Sequence, residues 1–467
     1  MDQHTPLQAT VTSQRSEFSA PLELAGARRD MGSSPTLAIN EAVARRRAEG
    51  KETLHLGFGE AIFPLHPALR QALTEAIEST GYAPVAGVLK LRQAIAGYIE
   101  RTRGISCSAE QVVVGPGSKP LLYALLQVLE GDVLVPRPSW VSYGPQVRLA
   151  GWQAVPVATD PADHHRLTPE ALNDAVTAAH VSGAKPRVLI VNSPSNPTGG
   201  MLAEEDVAAL GAWARAHGIT IISDEIYAEL AHGWRPHVSP ARFYPEGSII
   251  TGGLSKAFSA GGWRLGYAIL PAGERGAQLG KALRALASEI WSAAATPIEK
   301  AAIAAFTPNT DLETYVRRSA RIHGYVTHAL YQTLIELGVA CPKPAAGFYL
   351  YPDFAPWRGT LAKVGVTTGQ QLAQYLLDEW AIATLPGVAF GEEPDALRLR
   401  LSTSHLSIVS TGSAPEEQAA ELWQLLAQAD ALPVPGEADQ PVGPDLPELA
   451  KAQLRLREAI GYFNSLA

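Results

Sequence analysis

Short apolar runs alternate along the chain with longer stretches in which apolar residues recur every three or four positions. The runs Val112-Val113-Val114, Val133-Leu134-Val135, Val155-Pro156-Val157, Val188-Leu189-Ile190-Val191, Ile219-Thr220-Ile221-Ile222, Ile249-Ile250 and Tyr267-Ala268-Ile269-Leu270 have the length and composition of buried strands. Helical patterns separate them, such as Leu121 to Leu129 and Glu204 to Ala216, and Ala68 to Ser79 and Leu89 to Arg101 precede them. Strands apolar on both faces, with helices between them, predict an α/β protein built on a mainly parallel sheet. Residues 275 to 340 read as mostly helical and lead to a second region. There Gly347 to Tyr351 and Leu397 to Ser402 read as strands, with Gln370 to Glu379 and Glu416 to Ala427 as helices. Before the sheet, Ser34-Pro35-Thr36 opens a helix over Leu37 to Arg47, whose Arg45-Arg46-Arg47 run fits a solvated face better than a phosphate site. Residues 1 to about 30 lack periodicity and are expected to form a mobile arm. Pro433 to Pro447 reads as a proline-rich linker and Glu448 to Asn464 as one amphipathic helix.

Length adds that two domains are expected, because 467 residues exceed what one core usually supports. Hydrophobic residues at 46% and charged residues at 18% fit a soluble globular protein. A net charge of -8 argues against nucleic acid or an anionic membrane as the main partner. Cys107 and Cys341 are the only cysteines, so no disulfide framework or cysteine metal cluster is expected, and a cytoplasmic location is. Neither a secretory signal nor a membrane-spanning run is expected from the apolar pattern.

Ligands on a parallel sheet sit at the carboxyl ends of the strands, and the chemistry-bearing residues fall in the loops that follow them. After Ser248-Ile249-Ile250-Thr251, Gly252 and Gly253 turn the chain into Ser255-Lys256-Ala257-Phe258-Ser259-Ala260-Gly261-Gly262-Trp263-Arg264. A lysine, a hydroxyl and an arginine in one tight loop can present an amine to an electrophilic carbon and a cation to a phosphate. That combination points to pyridoxal 5'-phosphate (PLP) held on Lys256. Gly115-Pro116-Gly117-Ser118-Lys119-Pro120 opens a helix, where free N–H groups suit a phosphate, or forms an ordinary turn. Trp140, in Pro138-Ser139-Trp140, can stack on a flat ring or fill the core. Asn192-Ser193-Pro194-Ser195-Asn196-Pro197-Thr198-Gly199 is a rigid loop able to aim the Asn196 amide at a phenolate oxygen. Asp224, at a strand end, needs a cationic or N–H partner, and a protonated pyridine nitrogen is one. The Asp224-Glu225 pair could otherwise bind metal or cap a helix, but no histidine nearby completes a metal site. Arg398 and Arg400, at alternate strand positions, share a face and could clamp a carboxylate or form surface ion pairs.

Asn196-Pro197-Thr198-Gly199, Asp224-x-x-Tyr227 and Ser255-Lys256 with Gly262-Trp263-Arg264 resemble the fold-type I PLP enzymes, and among them the class I/II aminotransferases. The likeness runs from about Ser34 to Ala427 and includes Gly57-Phe58-Gly59-Glu60, Tyr82 to Gly87, Gly347-Phe348-Tyr349 and Pro386 to Gly391. It implies a mainly parallel seven-stranded large-domain sheet flanked by helices and a smaller α+β domain. The division expected is an arm at 1–33, small-domain parts at 34–65 and 326–432, a large PLP-binding domain at 66–325, and a linker and helix at 433–467. By the same resemblance Lys256 forms a Schiff base with PLP and moves the proton, Asp224 pairs with the ring nitrogen, Asn196 and Tyr227 hold the ring oxygen, and Trp140 stacks on the ring. The Gly117-Ser118-Lys119 turn, Ser255 and Arg264 hold the phosphate, with Tyr82 reaching that of the other subunit in a homodimer with shared active sites. Arg400 binds the substrate α-carboxylate beside the Gly59 backbone, and the substrate also meets Trp140 and Asn196. Arg398 has no assigned role. The implied reaction moves an amino group between an amino acid and a 2-oxo acid with ping-pong kinetics.

The chain departs from the family where Ala61-Ile62 replaces the usual Pro-Asp, and His66 follows shortly after. Ser288 to Ala294 offers no second arginine for a side-chain carboxylate, which counts against a dicarboxylic substrate, and Trp291 could wall the substrate pocket or pack at an interface. Elimination, replacement or carbon–carbon bond formation is the alternative outcome on the same scaffold. A DNA-binding regulator with an aminotransferase-like domain is disfavoured, because the segment before Ser34 has no helix-turn-helix pattern.

Overall fold

Among the described residues twelve short strands follow one another as β1 (Leu54–His55), β2 (Val112–Gly115), β3 (Asp132–Arg137), β4 (Ala154–Ala158), β5 (Pro186–Asn192), β6 (Thr220–Asp224), β7 (Ser248–Gly253), β8 (Gly266–Ile269), β9 (Tyr349–Leu350), β10 (Ile382–Ala383), β11 (Leu385–Pro386) and β12 (Leu399–Ser402). The computed structural model describes residue 32 and residues 34–233, 235–408, 414–432 and 444–466. The expected arm at 1–33, apart from residue 32, and most of the expected proline-rich linker lie outside the described residues.

The seven apolar runs become β2 to β8, and these form one sheet in the order β2-β8-β7-β6-β5-β3-β4. β4, β3, β5, β6 and β7 pair in parallel. β8 alone runs against its neighbours β7 and β2. Helices Ser118–Val128 and Gly273–Ile290 cover one face through Leu121, Leu122, Leu125 and Leu283. Helices Pro169–Val181 and Glu204–His217 cover the other through Leu172, Leu210 and Trp213. The sheet is thus buried on both sides, which is why its strands read as continuous apolar runs.

Around β9 to β12 the chain builds a smaller layer. β11, β12 and β9 form an antiparallel sheet, and β1 pairs in parallel with β10. The strand expected over 347–351 shrinks to Tyr349–Leu350, because the Gly347 N–H bonds to the carbonyl of Leu230 rather than to a strand. The helix Thr310–Glu336, capped by the Asn309 side chain at the Leu312 N–H (2.9 Å), spans the length of this layer. The expected C-terminal helix is present as Pro447–Ser465 and buries Leu449, Leu456, Ile460 and Phe463. Its Lys451 and Arg455 pair with Glu52, just before β1.

Candidate active site

A cavity of about 300 Å3 opens at the carboxyl ends of β5, β6 and β7. Each wall is delivered by an element whose end lies there: Asn196 follows β5, Asp224 ends β6, and Ser255 and Lys256 follow β7. Trp140 follows β3, and Ser118 and Lys119 form the first turn of helix Ser118–Val128. β12 brings Arg400 from the smaller layer, and the chain after β1 brings Gly59.

Lys256 Nζ is buried and donates to the Gly59 carbonyl at 2.7 Å. It stands 5.8 Å from the Tyr227 ring and 5.7 Å from Phe348. Burial pulls its pKa down to about 8, against the opposing charge of Glu60. An amine on the verge of losing its proton is what nucleophilic and proton-transfer chemistry needs. Asp224 is 3% exposed and accepts from Tyr143 Oη at 2.8 Å and, more weakly, from Thr251 Oγ1 at 3.4 Å. Burial outweighs these bonds and raises its pKa to about 6. A cationic N–H in front of it would reverse that shift. Tyr227 and Tyr349 share a hydroxyl hydrogen bond of 2.9 Å. Asn192 ties the loops together, accepting from the Asn196 N–H (2.8 Å) and donating to the Asp224 carbonyl (2.9 Å). Ser193-Pro194 and Asn196-Pro197 are both cis.

Arg400 is 1% exposed. Its guanidinium bonds to the Gly57 carbonyl and, at 3.3 Å, to Asn196 Oδ1, and lies over Tyr349 (4.8 Å) and Phe390 (5.2 Å). Its Nε is buried with no hydrogen-bond partner. Arg398, two residues earlier, turns instead to Asp353 (2.9 Å) and Glu392 (2.8 Å).

At the opposite end, Gly117 has φ +104 and leads into the helix N-terminus at Ser118. A Cβ on Gly117 would sit 2.5 Å from the Arg264 guanidinium, and one on Gly266 would sit 2.4 Å from the Ser118 nitrogen. The backbone and Arg264 therefore converge on one corner, with Ser255 beside them. Lys119 Nζ hangs over Trp140, 4.9 Å from its ring. Burial and Arg264 lower the Lys119 pKa. Among the described residues none of Lys119, Lys256, Arg264 and Arg400 has an ion pair, while Asp224 and Glu60 are the carboxylates in the wall. A cavity so rich in unpaired cations fits an anionic occupant. An N-terminal helix turn with Arg264 fits a phosphate, and a buried carboxylate fits a pyridine nitrogen. The residues present fit PLP.

Of the residues picked from the sequence, Gly59, Ser118, Lys119, Trp140, Asn196, Asp224, Tyr227, Ser255, Lys256, Arg264 and Arg400 line this cavity, and Gly117 backs it. Tyr82 does not line it and is 97% exposed. Sequence reasoning missed Tyr143 and Tyr349, which bond Asp224 and Tyr227, and the wall residues Thr36, Leu37, Phe58 and Glu60. Tyr349 ends a string singled out above, and Tyr143 follows Trp140 by three residues. Glu225 points away from the cavity to Arg103 (3.1 Å) and His237 (3.1 Å). His66 caps helix Pro67–Ala76 through the Ala68 N–H (3.2 Å), and Trp291 packs on the sheet core.

Comparison with known proteins agrees with this geometry. The family described as aminotransferase class I and II matches residues 51–408. The chain is 37% identical over 380 residues to the aspartate aminotransferase of Geobacillus stearothermophilus, covering 79% of this chain and 92% of that one. It is 36% identical to the aspartate aminotransferase of Bacillus subtilis over 381 residues, with the same coverage. The solved Thermus thermophilus aspartate aminotransferase with maleate superposes with a TM-score of 0.74 at 30% identity, covering 88% of this chain and all of that one. These relatives bear out the fold-type I architecture and do not favour elimination, replacement or carbon–carbon bond formation. The chain belongs to the class I and II aminotransferases, and it is a PLP-dependent enzyme that transfers an amino group.

Proposed function

We propose that the enzyme moves the amino group between acidic substrates, an amino dicarboxylic acid and a 2-oxo dicarboxylic acid, with Arg400 and Lys119 taking the two carboxylates. The observation that carries this is the count of unpaired cations around one cavity. PLP phosphate accounts for Arg264 together with the Ser118 turn and Ser255. The α-carboxylate common to all substrates accounts for Arg400, whose buried planar fork suits a carboxylate. Lys119 is then left over, held in the cavity by Trp140. The sequence reading sought a second arginine near Ser288 to Ala294, whereas the spare cation comes from the phosphate turn itself. The names of the relatives and the maleate in the Thermus structure support the same class.

When bound, the cofactor supplies an aldehyde carbon for the amino group and a ring that withdraws electrons. Asp224 would face the ring nitrogen, Asn196 and Tyr227 the ring oxygen, and Trp140 the ring face. Lys256 Nζ, its proton affinity lowered by burial, takes the proton from the substrate α-carbon and returns one to complete the transfer. Arg400 fixes the substrate by its carboxylate so that this proton faces Lys256. Release of the first oxo acid before the second binds gives ping-pong kinetics. Large-domain residues 66–325 and small-domain residues 34–65 and 326–432 are the working division, supported by sheet membership. A homodimer in the cytoplasm completes the reading, supported by the exposed Tyr82 and by free cysteines.

Lys119→Met tests the substrate class. The variant should lower kcat/KM for aspartate by about 30-fold or more, since a lost charge pair is worth roughly 2 kcal/mol or above, and leave alanine as substrate nearly unchanged. An equal loss on both substrates would sink the acidic reading.

A further inference from the structure

The loop that carries Tyr82 is fastened at many points, yet its tip stands free. Lys300 Nζ donates to Ser79 Oγ (2.9 Å) and Thr296 Oγ1 to the Gly81 carbonyl (2.7 Å). The Val114 N–H, from β2, donates to Ala86 (3.0 Å), and Arg92 Nε to Gly87 (3.1 Å). Glu299, on helix Thr296–Phe306, is 0% exposed and accepts from the Val88 N–H at 2.7 Å. Its other oxygen, Oε1, is buried without a partner. A Cβ on Gly87 would strike Val114 at 2.7 Å, so the loop packs directly on the strand. Between these anchors Tyr82 projects with 97% of its surface exposed. Holding an exposed aromatic this firmly spends several buried polar contacts on a side chain that touches nothing in its own subunit.

We propose that Glu299 is a positioning residue for the Tyr82 loop, and through it sets how tightly the neighbouring subunit of a dimer holds its cofactor phosphate. This rests on the shared-site dimer reading above. A carboxylate grips a backbone N–H about twice as strongly when ionised as when neutral. The charged group facing Glu299 is Arg92, on helix Leu89–Arg103; the 81–88 loop, the turn before Thr296 and β2 present only backbone and apolar groups to it. Burial raises the Glu299 pKa to about 7, so the grip changes across the physiological range.

The two effects of this titration have opposite signs. Because the folded pKa is raised above the unfolded value, Glu299 makes the fold more stable as pH falls from about 7 towards the ordinary carboxylate value of 4.5. The positioning role predicts instead that the cofactor is held less tightly over the same fall. A residue that serves stability alone would move only the first.

The test measures equilibrium PLP binding to apoprotein, read by absorbance of the bound cofactor, between pH 6 and 8, with the melting temperature and oligomeric mass followed in parallel. Glu299→Gln should weaken binding about tenfold at pH 8, a loss of one charge-assisted bond. It should also shrink the ratio of affinities at pH 8 and pH 6 by a similar factor, leaving the part that Lys256 and Asp224 contribute. Thr296→Val, which frees Gly81 without touching Glu299, should weaken binding in the same direction and leave the pH slope intact. It also serves if Glu299→Gln does not fold. Tyr82→Phe should weaken binding too, and adding Glu299→Gln to it should cost little more. If Tyr82→Phe weakens binding while Glu299→Gln and Thr296→Val leave it at the parent value, the positioning role is overturned and the shared site stands. If Tyr82→Phe has no effect, the shared-site reading fails, and this inference with it.

Discussion

Arg400 and Arg103 are both arginines removed from water, and they sit on opposite sides of the same short segment, Asp224 to Tyr227. Arg103 is flanked by Glu225 (3.1 Å) and Glu229 (2.6 Å), and Tyr98 Oη adds a bond to Glu229 (2.7 Å). Arg103 and His237 hold the Glu225 pKa down to about 2, although burial alone would raise it. Arg400 has two neutral oxygen acceptors, two aromatic rings and no acid. A buried cation whose charge is answered within the chain is scaffold, whereas one left unanswered is waiting for a ligand. The same contrast separates Arg398 from Arg400 on one strand, and Glu225 from Asp224 at successive positions.

Substitutions can break this contrast. The largest effect should come from Lys256→Ala, which should cut amino transfer by about three orders of magnitude or more and abolish the visible absorbance of bound cofactor. The fold should survive, since a buried amine without an ion pair contributes little to it. Retained activity in steady-state assays would remove Lys256 from the mechanism. Next, Arg103→Met should lower unfolding free energy by about 3–5 kcal/mol, because two carboxylates lose the guanidinium between them and keep only His237 and the Tyr98 hydroxyl. Arg400→Met should leave the denaturation midpoint level or higher while raising KM for the amino acid about 100-fold. Similar stability losses in the two variants, measured by denaturant titration, would erase the distinction drawn here.

Asp224→Asn probes the empty-handed carboxylate in apoprotein. The Asp224 pKa is raised from 3.8 to about 6, so ionising it opposes folding above pH 6. The raised value means that stability from this group is gained as pH falls from about 6 to 3.8. Asparagine should therefore make the apoprotein roughly 3 kcal/mol more stable at pH 7 and flatten the pH dependence between 4 and 6, yet weaken PLP binding. Melting curves of both proteins across that range check the sign. The smallest effect should be that of Trp140→Leu, a loss in PLP affinity of about fivefold from about 1 kcal/mol of ring stacking.

The same contrast explains what could be read from the chain. The strands of the large sheet are apolar on both faces, so each declared itself without its neighbours. Lys256, Asp224, Asn196 and Arg264 sit in loops with fixed local chemistry, and local strings were enough. β1, β10 and β11 are two residues each and exist only through pairing. The Arg103–Glu225–Glu229 cluster and the Glu299–Val88 bond join residues more than a hundred positions apart. Nothing in the local pattern of either partner announces the other. The strand pattern alone did not separate Arg398 from Arg400; the resemblance favoured Arg400, and Asp353 and Glu392 claim Arg398.

The pairing of β1 with β10 has a bearing on how the protein is made. Every strand of the large sheet lies between residues 112 and 269, so a chain leaving the ribosome can complete that sheet while the rest is still being synthesised. β1, though it emerges earlier, has no strand to pair with until Ile382 and Ala383 appear, and Arg400 follows later still. The half that carries Asp224, Lys256 and Arg264 is therefore finished first. The half that carries Arg400 closes last, over a floor already in place.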